Sequence, residues 1–183
     1  RLDLMTAEGL SRDRLLAARA PRILTLRSVM EGGRFGGSPA DWFSAIAPLA
    51  AGADYVDVER RFSEHAAAIR DMGSRIVASC HRRDMPSPGE LREIEESLRS
   101  YGDIPKIVVS PGSERDVLDL LSFTLSAEKP ICTGVMGARY SFARAILPLF
   151  GSAWAYCHMG APTASGQFHI REMRELASLL ERR

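Results

Sequence analysis

Short runs that are apolar on both faces alternate along this chain with segments whose apolar positions recur every three or four residues. The runs are Ile23–Arg27, Tyr55–Glu59, Arg75–His81, Lys106–Ser110, Pro130–Met136 and Ala153–Cys157. Runs of this kind predict parallel strands covered by helices. Helix starts lie between them. Ser38-Pro39-Ala40-Asp41 offers an N-cap with proline at the first helical position. Ser87-Pro88-Gly89-Glu90 reads as a capping box, followed by Leu91, Ile94 and Leu98 on one face. Ser113-Glu114-Arg115-Asp116 opens a helix that turns Val117, Leu120, Leu121 and Thr124 inward. A last helix is expected from about Gln167, with Ile170, Met173, Leu176 and Leu180 as its stripe.

The strands recur every 20–30 residues or so, the rhythm of successive βα units. Such a chain builds a doubly wound sheet or a (β/α)8 barrel. A barrel takes about 250 residues, with about 200 near its lower end. This chain has 183 residues and six expected strands, two short of a barrel. The pattern alone leaves the two folds open, and one domain spanning 1–183 is the expectation.

Composition narrows the function. The chain is 45% hydrophobic with a formal net charge of +1, which suits a globular domain and argues against nucleic acid as the main partner. No apolar run reaches the ~20 residues of a membrane helix, and residues 1–20 carry charges throughout, unlike a signal peptide. Cys80, Cys132 and Cys157 are odd in number and form no CxxC, so neither a disulfide framework nor a zinc site is expected, and a reducing cytoplasm fits. Lysine stands only at Lys106 and Lys129 among 24 cationic residues. Any chemistry that needs a neutral side-chain amine has two candidates.

Lys106 sits in Asp103-Ile104-Pro105-Lys106-Ile107-Val108-Val109-Ser110 and opens the expected strand, sharing a face with Val108 and Ser110. It either snorkels to solvent or sits desolvated with a depressed pKa, ready to form a Schiff base with a carbonyl substrate. His81 ends its strand, where parallel α/β folds present residues to ligand, and a histidine there can shuttle protons. A solvated loop histidine is the plainer alternative. His158 is the reserve candidate, while His65 and His169 fall in helical segments. Arg27 and the carboxylate of Glu31 follow the first strand, and Glu31 could orient a catalytic histidine. Gly32, Gly33, Gly36 and Gly37 predict a flexible loop, without a GxGxxG or Walker pattern for phosphate. Asp57 and Glu59 share one strand face and need partners, either core arginines in an ion network or a two-carboxylate hydrolase site. Arg144 suits bidentate capture of a carboxylate. The small-residue stretch from Ala161 to Gln167 reads as a lid. No HxH or HxxxH spacing supports a metal.

Taken together, Arg1-Leu2-Asp3, Thr25-Leu26-Arg27, Glu31-Gly32-Gly33, Asp57-Val58-Glu59, Ser79-Cys80-His81, Asp103-Ile104-Pro105-Lys106-Ile107, Met136, Arg144, Phe150-Gly151-Ser152 and Thr163 to Gln167 resemble the type I 3-dehydroquinate dehydratases of the shikimate pathway. The resemblance runs through nearly the whole chain in order. It implies a (β/α)8 TIM barrel lacking strand 1, helix 1 and most of strand 2 here, hence an N-terminally incomplete barrel. It implies a cytoplasmic homodimer that needs no cofactor and dehydrates 3-dehydroquinate to 3-dehydroshikimate. Lys106 would form the imine, His81 would move protons and Glu31 would tune His81. Arg144 would pair with the substrate carboxylate. Arg1, Arg27, Thr163 and Gln167 would hold polar groups, and Met136 would pack on the ring. Gly134, Thr163, Ser165 and the basic stretch Arg82-Arg83-Asp84 depart from the family pattern. An aldolase-like Schiff-base barrel, a non-enzymatic binding or regulatory domain on the same fold, and one domain of a larger polypeptide are the alternatives.

Overall fold

Five of the six expected runs form strands in the computed structural model, which describes residues 1–5 and 20–180. Most of the charged opening stretch considered above lies outside the described residues. The strands are β1 (Ile23–Thr25), β2 (Tyr55–Glu59), β3 (Arg75–His81), β4 (Ile104–Val109) and β5 (Cys132–Val135). The helices are α1 (Pro39–Ala50), α2 (Ala66–Asp71), α3 (Pro88–Arg99), α4 (Glu114–Ser126), α5 (Ala143–Ile146) and α6 (Ile170–Leu180). The recurring strand-then-helix order is the repeat from which (β/α) barrels are built. The chain divides into two compact units, Arg1–His81 with Glu95–Pro105, and Arg82–Ile94 with Lys106–Arg183.

In the first unit, β1, β2 and β3 run parallel. Ile23 faces Tyr55, and β2 meets β3 from Tyr55 opposite Arg75 to Glu59 opposite Ser79. Val56, Val58, Ile76, Val77 and Ala78 are fully buried, as the two-faced apolar runs require. Helix α1 starts where the sequence places it: Ser38 and Asp41 exchange a reciprocal capping box, with Pro39 as the first helical residue. Its Trp42 stacks on Phe62 at 4.6 Å and donates its indole N–H to the Leu26 carbonyl at 3.0 Å. That bond fixes the stretch where the chain leaves β1 and turns toward Arg27. Strand β1 is shorter than expected and stops at Thr25.

In the second unit, β4 and β5 are parallel, with Lys106 opposite Cys132 and Val109 opposite Val135. The capping box at Ser113 and Asp116 starts α4, and Val117, Leu120, Leu121 and Thr124 are buried as the spacing predicts. Lys129 Nζ reaches back to the carbonyls of Thr124, Leu125 and Ala127 at the end of α4. The ammonium thereby meets backbone acceptors that a helix end leaves over.

The run Ala153–Cys157 is not a strand. Ser152 makes one isolated bridge to Ile131, and the ladder stops there. The Ser152 hydroxyl accepts the Thr133 N–H at 3.0 Å and lies within bonding distance of the Thr133 and Trp154 carbonyls. A side chain takes the place of backbone partners, as serine does where it competes with regular structure. Helix α6 begins at Ile170 rather than near Gln167. His169 caps it: Glu172 accepts the His169 N–H at 2.7 Å, and His169 Nδ1 accepts the Arg171 N–H. Gln167 is held in the preceding loop instead.

Among the described residues, no helix is long and apolar enough to cross a membrane. Ile107, fully buried beside Lys106 on β4, supplies the first test of this packing. Ile107→Ala should cost about 2–5 kcal/mol in urea unfolding, from lost transfer energy and the cavity left behind.

Candidate functional site

The first unit brings one guanidinium against three carboxylates. Arg27 is 3% exposed. Its Nη2 donates to Asp57 Oδ1 at 2.9 Å, and its Nη1 lies 2.9 Å from Glu59 Oε1 and 3.1 Å from Glu31 Oε2. Ser79 Oγ completes the cluster, accepting from Arg27 Nη1 at 3.0 Å and donating to Asp57. Strand periodicity explains the gathering. Asp57 and Glu59 project to the same face of β2, and the register sets Ser79 opposite Glu59. The core ion network anticipated for Asp57 and Glu59 is therefore centred on Arg27. Burial pulls the Arg27 pKa down, but Asp57, Glu59 and Glu31 outweigh it and hold the group above its ordinary range.

Glu31 joins this cluster to His81. Its Oε2 accepts the His81 backbone N–H at 3.1 Å and lies 2.8 Å from His81 Nδ1. The same oxygen already accepts from Arg27, so the Nδ1–H tautomer fits and sets the basic lone pair on Nε2. Burial, then the charge of Glu59, push the Glu31 carboxyl up to about 8 against the pull of Arg27.

The glycine-rich stretch around Glu31 is a pinned turn rather than the flexible loop expected. Ser28 caps the short helical turn Val29–Glu31, its Oγ accepting the Glu31 N–H. Gly33 donates to the Ser28 carbonyl at 2.7 Å, and Phe35 to the Arg27 carbonyl at 3.1 Å. A Cβ on Gly33 would stand 2.1 Å from the Arg27 carbonyl oxygen, so any larger residue must break the turn. Arg1 forms a two-point ion pair with Asp3, and Asp3 in turn accepts the backbone N–H groups of Arg27 and Arg34. Arg1 is thus tied to the segment that carries Arg27.

The second unit holds Lys106, 6% exposed, with its Nζ 4.3 Å from the centre of the Tyr156 ring. Lys106 therefore does not snorkel to solvent. Tyr156 escaped the sequence analysis because its run reads as a strand. The alternation of Trp154 and Tyr156 with small residues was the available signal. Arg144 on α5 is 9% exposed. Its Nη2 donates to the Ser165 carbonyl at 3.3 Å, while its Nε is buried without a hydrogen-bond partner. Burial lowers its pKa, partly offset by the neighbouring Cys157 thiol. Gln167 Oε1 accepts from Thr163 N, Thr163 Oγ1 and Ala164 N at 2.8, 3.0 and 3.2 Å, so the exposed loop is tied at its own amide. At Gly166 a Cβ would lie 2.4 Å from the Gly137 carbonyl, which packs this loop against the turn after Met136. Met136 is half-buried and donates its backbone N–H to Val109. His158 and His169 lie at the base of the loop, rings 5.3 Å apart, joined by backbone bonds.

The comparisons agree with the motifs. A family model described as Type I 3-dehydroquinase matches residues 2–183. A 3-dehydroquinate dehydratase of Methanoregula boonei is 46% identical over 98% of this chain and 87% of its own length. One of Methanospirillum hungatei is 40% identical over 88% of this chain, which spans 63% of that relative. The solved 3-dehydroquinate dehydratase of Geobacillus kaustophilus aligns with a TM-score of 0.86 at 28% identity, covering 99% of this chain and 79% of its own. The type I enzyme of Clostridium difficile, solved with covalent modified comenic acid, aligns at 0.79 and 26% identity over 87% of this chain and 68% of its own. The chain belongs to the type I 3-dehydroquinase family, whose 3-dehydroquinate dehydratases are lyases of the shikimate pathway.

The raised Glu31 pKa has a consequence for stability. Its contribution is fully present below the ordinary glutamate pKa of about 4.3 and is lost as pH rises through about 8. Glu31→Gln should therefore gain in stability relative to the parent between pH 5 and 9, read by urea melts at a series of pH values (about pH 5, 7 and 9).

Proposed function

We propose that this chain dehydrates 3-dehydroquinate to 3-dehydroshikimate through an imine on Lys106, with His81 as general acid and base. The observation that carries this reading is the burial of Lys106. The other lysine, Lys129, spends its Nζ on helix-end carbonyls. Lys106 is left as the lysine suited to attack a ketone. Family membership supports the same assignment.

In the proposed sequence, neutral Lys106 Nζ adds to the ketone carbon, the carbinolamine takes up a proton from solvent and water departs, leaving an iminium. The iminium draws electrons from the adjacent carbon, whose proton passes to His81 Nε2. The electron pair moves into the ring as an enamine and then expels the hydroxyl on the next carbon. His81 returns its proton to that hydroxyl, which leaves as water. Water then hydrolyses the iminium, regenerating the neutral amine and returning the proton to solvent. Glu31 holds the imidazole by Nδ1 throughout, fixing the tautomer that keeps Nε2 basic. Arg144, buried with no carboxylate bonded to it among the described residues, pairs with the substrate carboxylate. Thr163 and Gln167 supply hydroxyl and amide contacts from the loop, Met136 packs on the ring, and Arg1 and Arg27 order the segment bearing Glu31. Activity in a cytoplasmic homodimer belongs to the same proposal.

Borohydride reduction in the presence of 3-dehydroquinate should add a stable mass to the peptide containing Lys106. Lys106→Ala should lose that adduct and turnover while retaining part of the substrate affinity. Retained turnover in that variant would overturn the covalent route. Absence of an adduct in the folded parent protein would favour a binding domain, and turnover of an aldol substrate instead would favour an aldolase. Arg144→Ala should raise KM by about tenfold or more, the worth of a charge-assisted bond to carboxylate.

A further inference from the structure

The turn that carries Glu31 is anchored on a second glutamate. Glu59 lies at the end of β2 and is 2% exposed. Ser28 grips it twice: its backbone N–H donates to Glu59 Oε1 at 2.8 Å, and its hydroxyl donates to Glu59 Oε2. The same hydroxyl oxygen accepts the Glu31 N–H at 3.3 Å. Arg27 Nη1 is shared by the two glutamates, 2.9 Å from Glu59 and 3.1 Å from Glu31. A buried carboxylate with a guanidinium and two serine donors is well satisfied.

We propose that Glu59 is a positioning residue for Glu31. It acts through Ser28 on the geometry of the turn and through its charge on the proton held between Glu31 and His81. The inference deepens the dehydratase reading, because it rests on Glu31 supporting His81. Its first readout, however, needs no turnover. Within the first unit, the groups that bear on Glu31 are Arg27 from the end of β1, Asp57 and Glu59 on β2, His81 on β3 and Tyr101 beyond α3. Arg27 favours the ionised carboxylate, whereas Asp57 and Glu59 oppose it. Asp57 is paired with the other guanidinium nitrogen and with Ser79. Glu59 shares the nitrogen that Glu31 uses and also holds the turn. Replacing Glu59 by its neutral isostere removes a like charge from beside Glu31 and makes Glu31 more acidic.

The test is a pH titration of the His81 imidazole C–H resonances by NMR, assigned with His81→Gln, in the parent and in Glu59→Gln. The expected result is a movement of the Glu31-linked inflection to lower pH by about one unit or more. A buried residue with a purely structural role leaves the inflection in place, and an unmoved inflection in folded Glu59→Gln overturns the proposal. If Glu59→Gln does not fold, Ser28→Ala decides, since it removes the hydroxyl link and keeps both charges. Loss of at least half the amplitude of the Glu31-linked shift at His81 supports the proposal, and an unchanged amplitude overturns it. Activity is measured separately. An inflection shifted in Glu59→Gln, together with a parent protein that shows no turnover, would leave the Glu59 assignment standing and overturn the dehydratase reading alone.

Discussion

A single buried positive charge organises the first unit. Arg27 has five N–H donors in a planar fork, and the fold surrounds it with Asp57, Glu59, Glu31 and Ser79. One cation cannot neutralise three carboxylates. The surplus is relieved on the glutamate that touches a histidine, which burial and the charge of Glu59 dispose to hold a proton. Losing the arginine would leave the carboxylates facing one another in a dry interior, the expensive way to break a buried ion pair. The cluster is thus a source of both cohesion and a proton state that water would not give a glutamate.

The geometry that achieves this is economical. Strand periodicity sends Asp57 and Glu59 to one face, and register delivers Ser79 beside them. The turn from Ser28 to Phe35 then closes over the arginine, with Gly33 so close to the Arg27 carbonyl that no side chain fits. Trp42 reinforces the same segment from α1 by bonding the Leu26 carbonyl. Rigid elements hold the glutamate and the histidine, which is the condition for a base whose orientation matters.

Local signals in the sequence were read well and long-range ones poorly. The helix starts at Ser38, Ser87 and Ser113 were visible because a cap and its partner lie within three residues. Strands β2 and β3 were visible because apolar residues on both faces mark burial. The last expected strand failed on one hydroxyl, that of Ser152, whose backbone-like bonds no periodicity reveals. The turn around Glu31 was misjudged as flexible because its glycines suggest freedom, while the bond that pins it joins Ser28 to a residue 31 positions away. The aromatic face against Lys106 comes from a residue 50 positions further on and was missed for the same reason. Lys106, His81, Glu31 and Arg144 themselves were legible as candidates, through strand ends and a resemblance spread over the chain.

The scarcity of lysine reaches beyond the site. A guanidinium keeps its proton at every pH at which a protein stays folded, so it does not add to carbonyl compounds as an amine does. Nearly all the cationic surface of this chain is arginine, and Lys129 is held by the end of a helix. Dissolved ketones and reducing sugars therefore find few side-chain amines to modify. Composition does here what a protecting group does in synthesis, confining carbonyl chemistry largely to one nitrogen before any shape or affinity is considered.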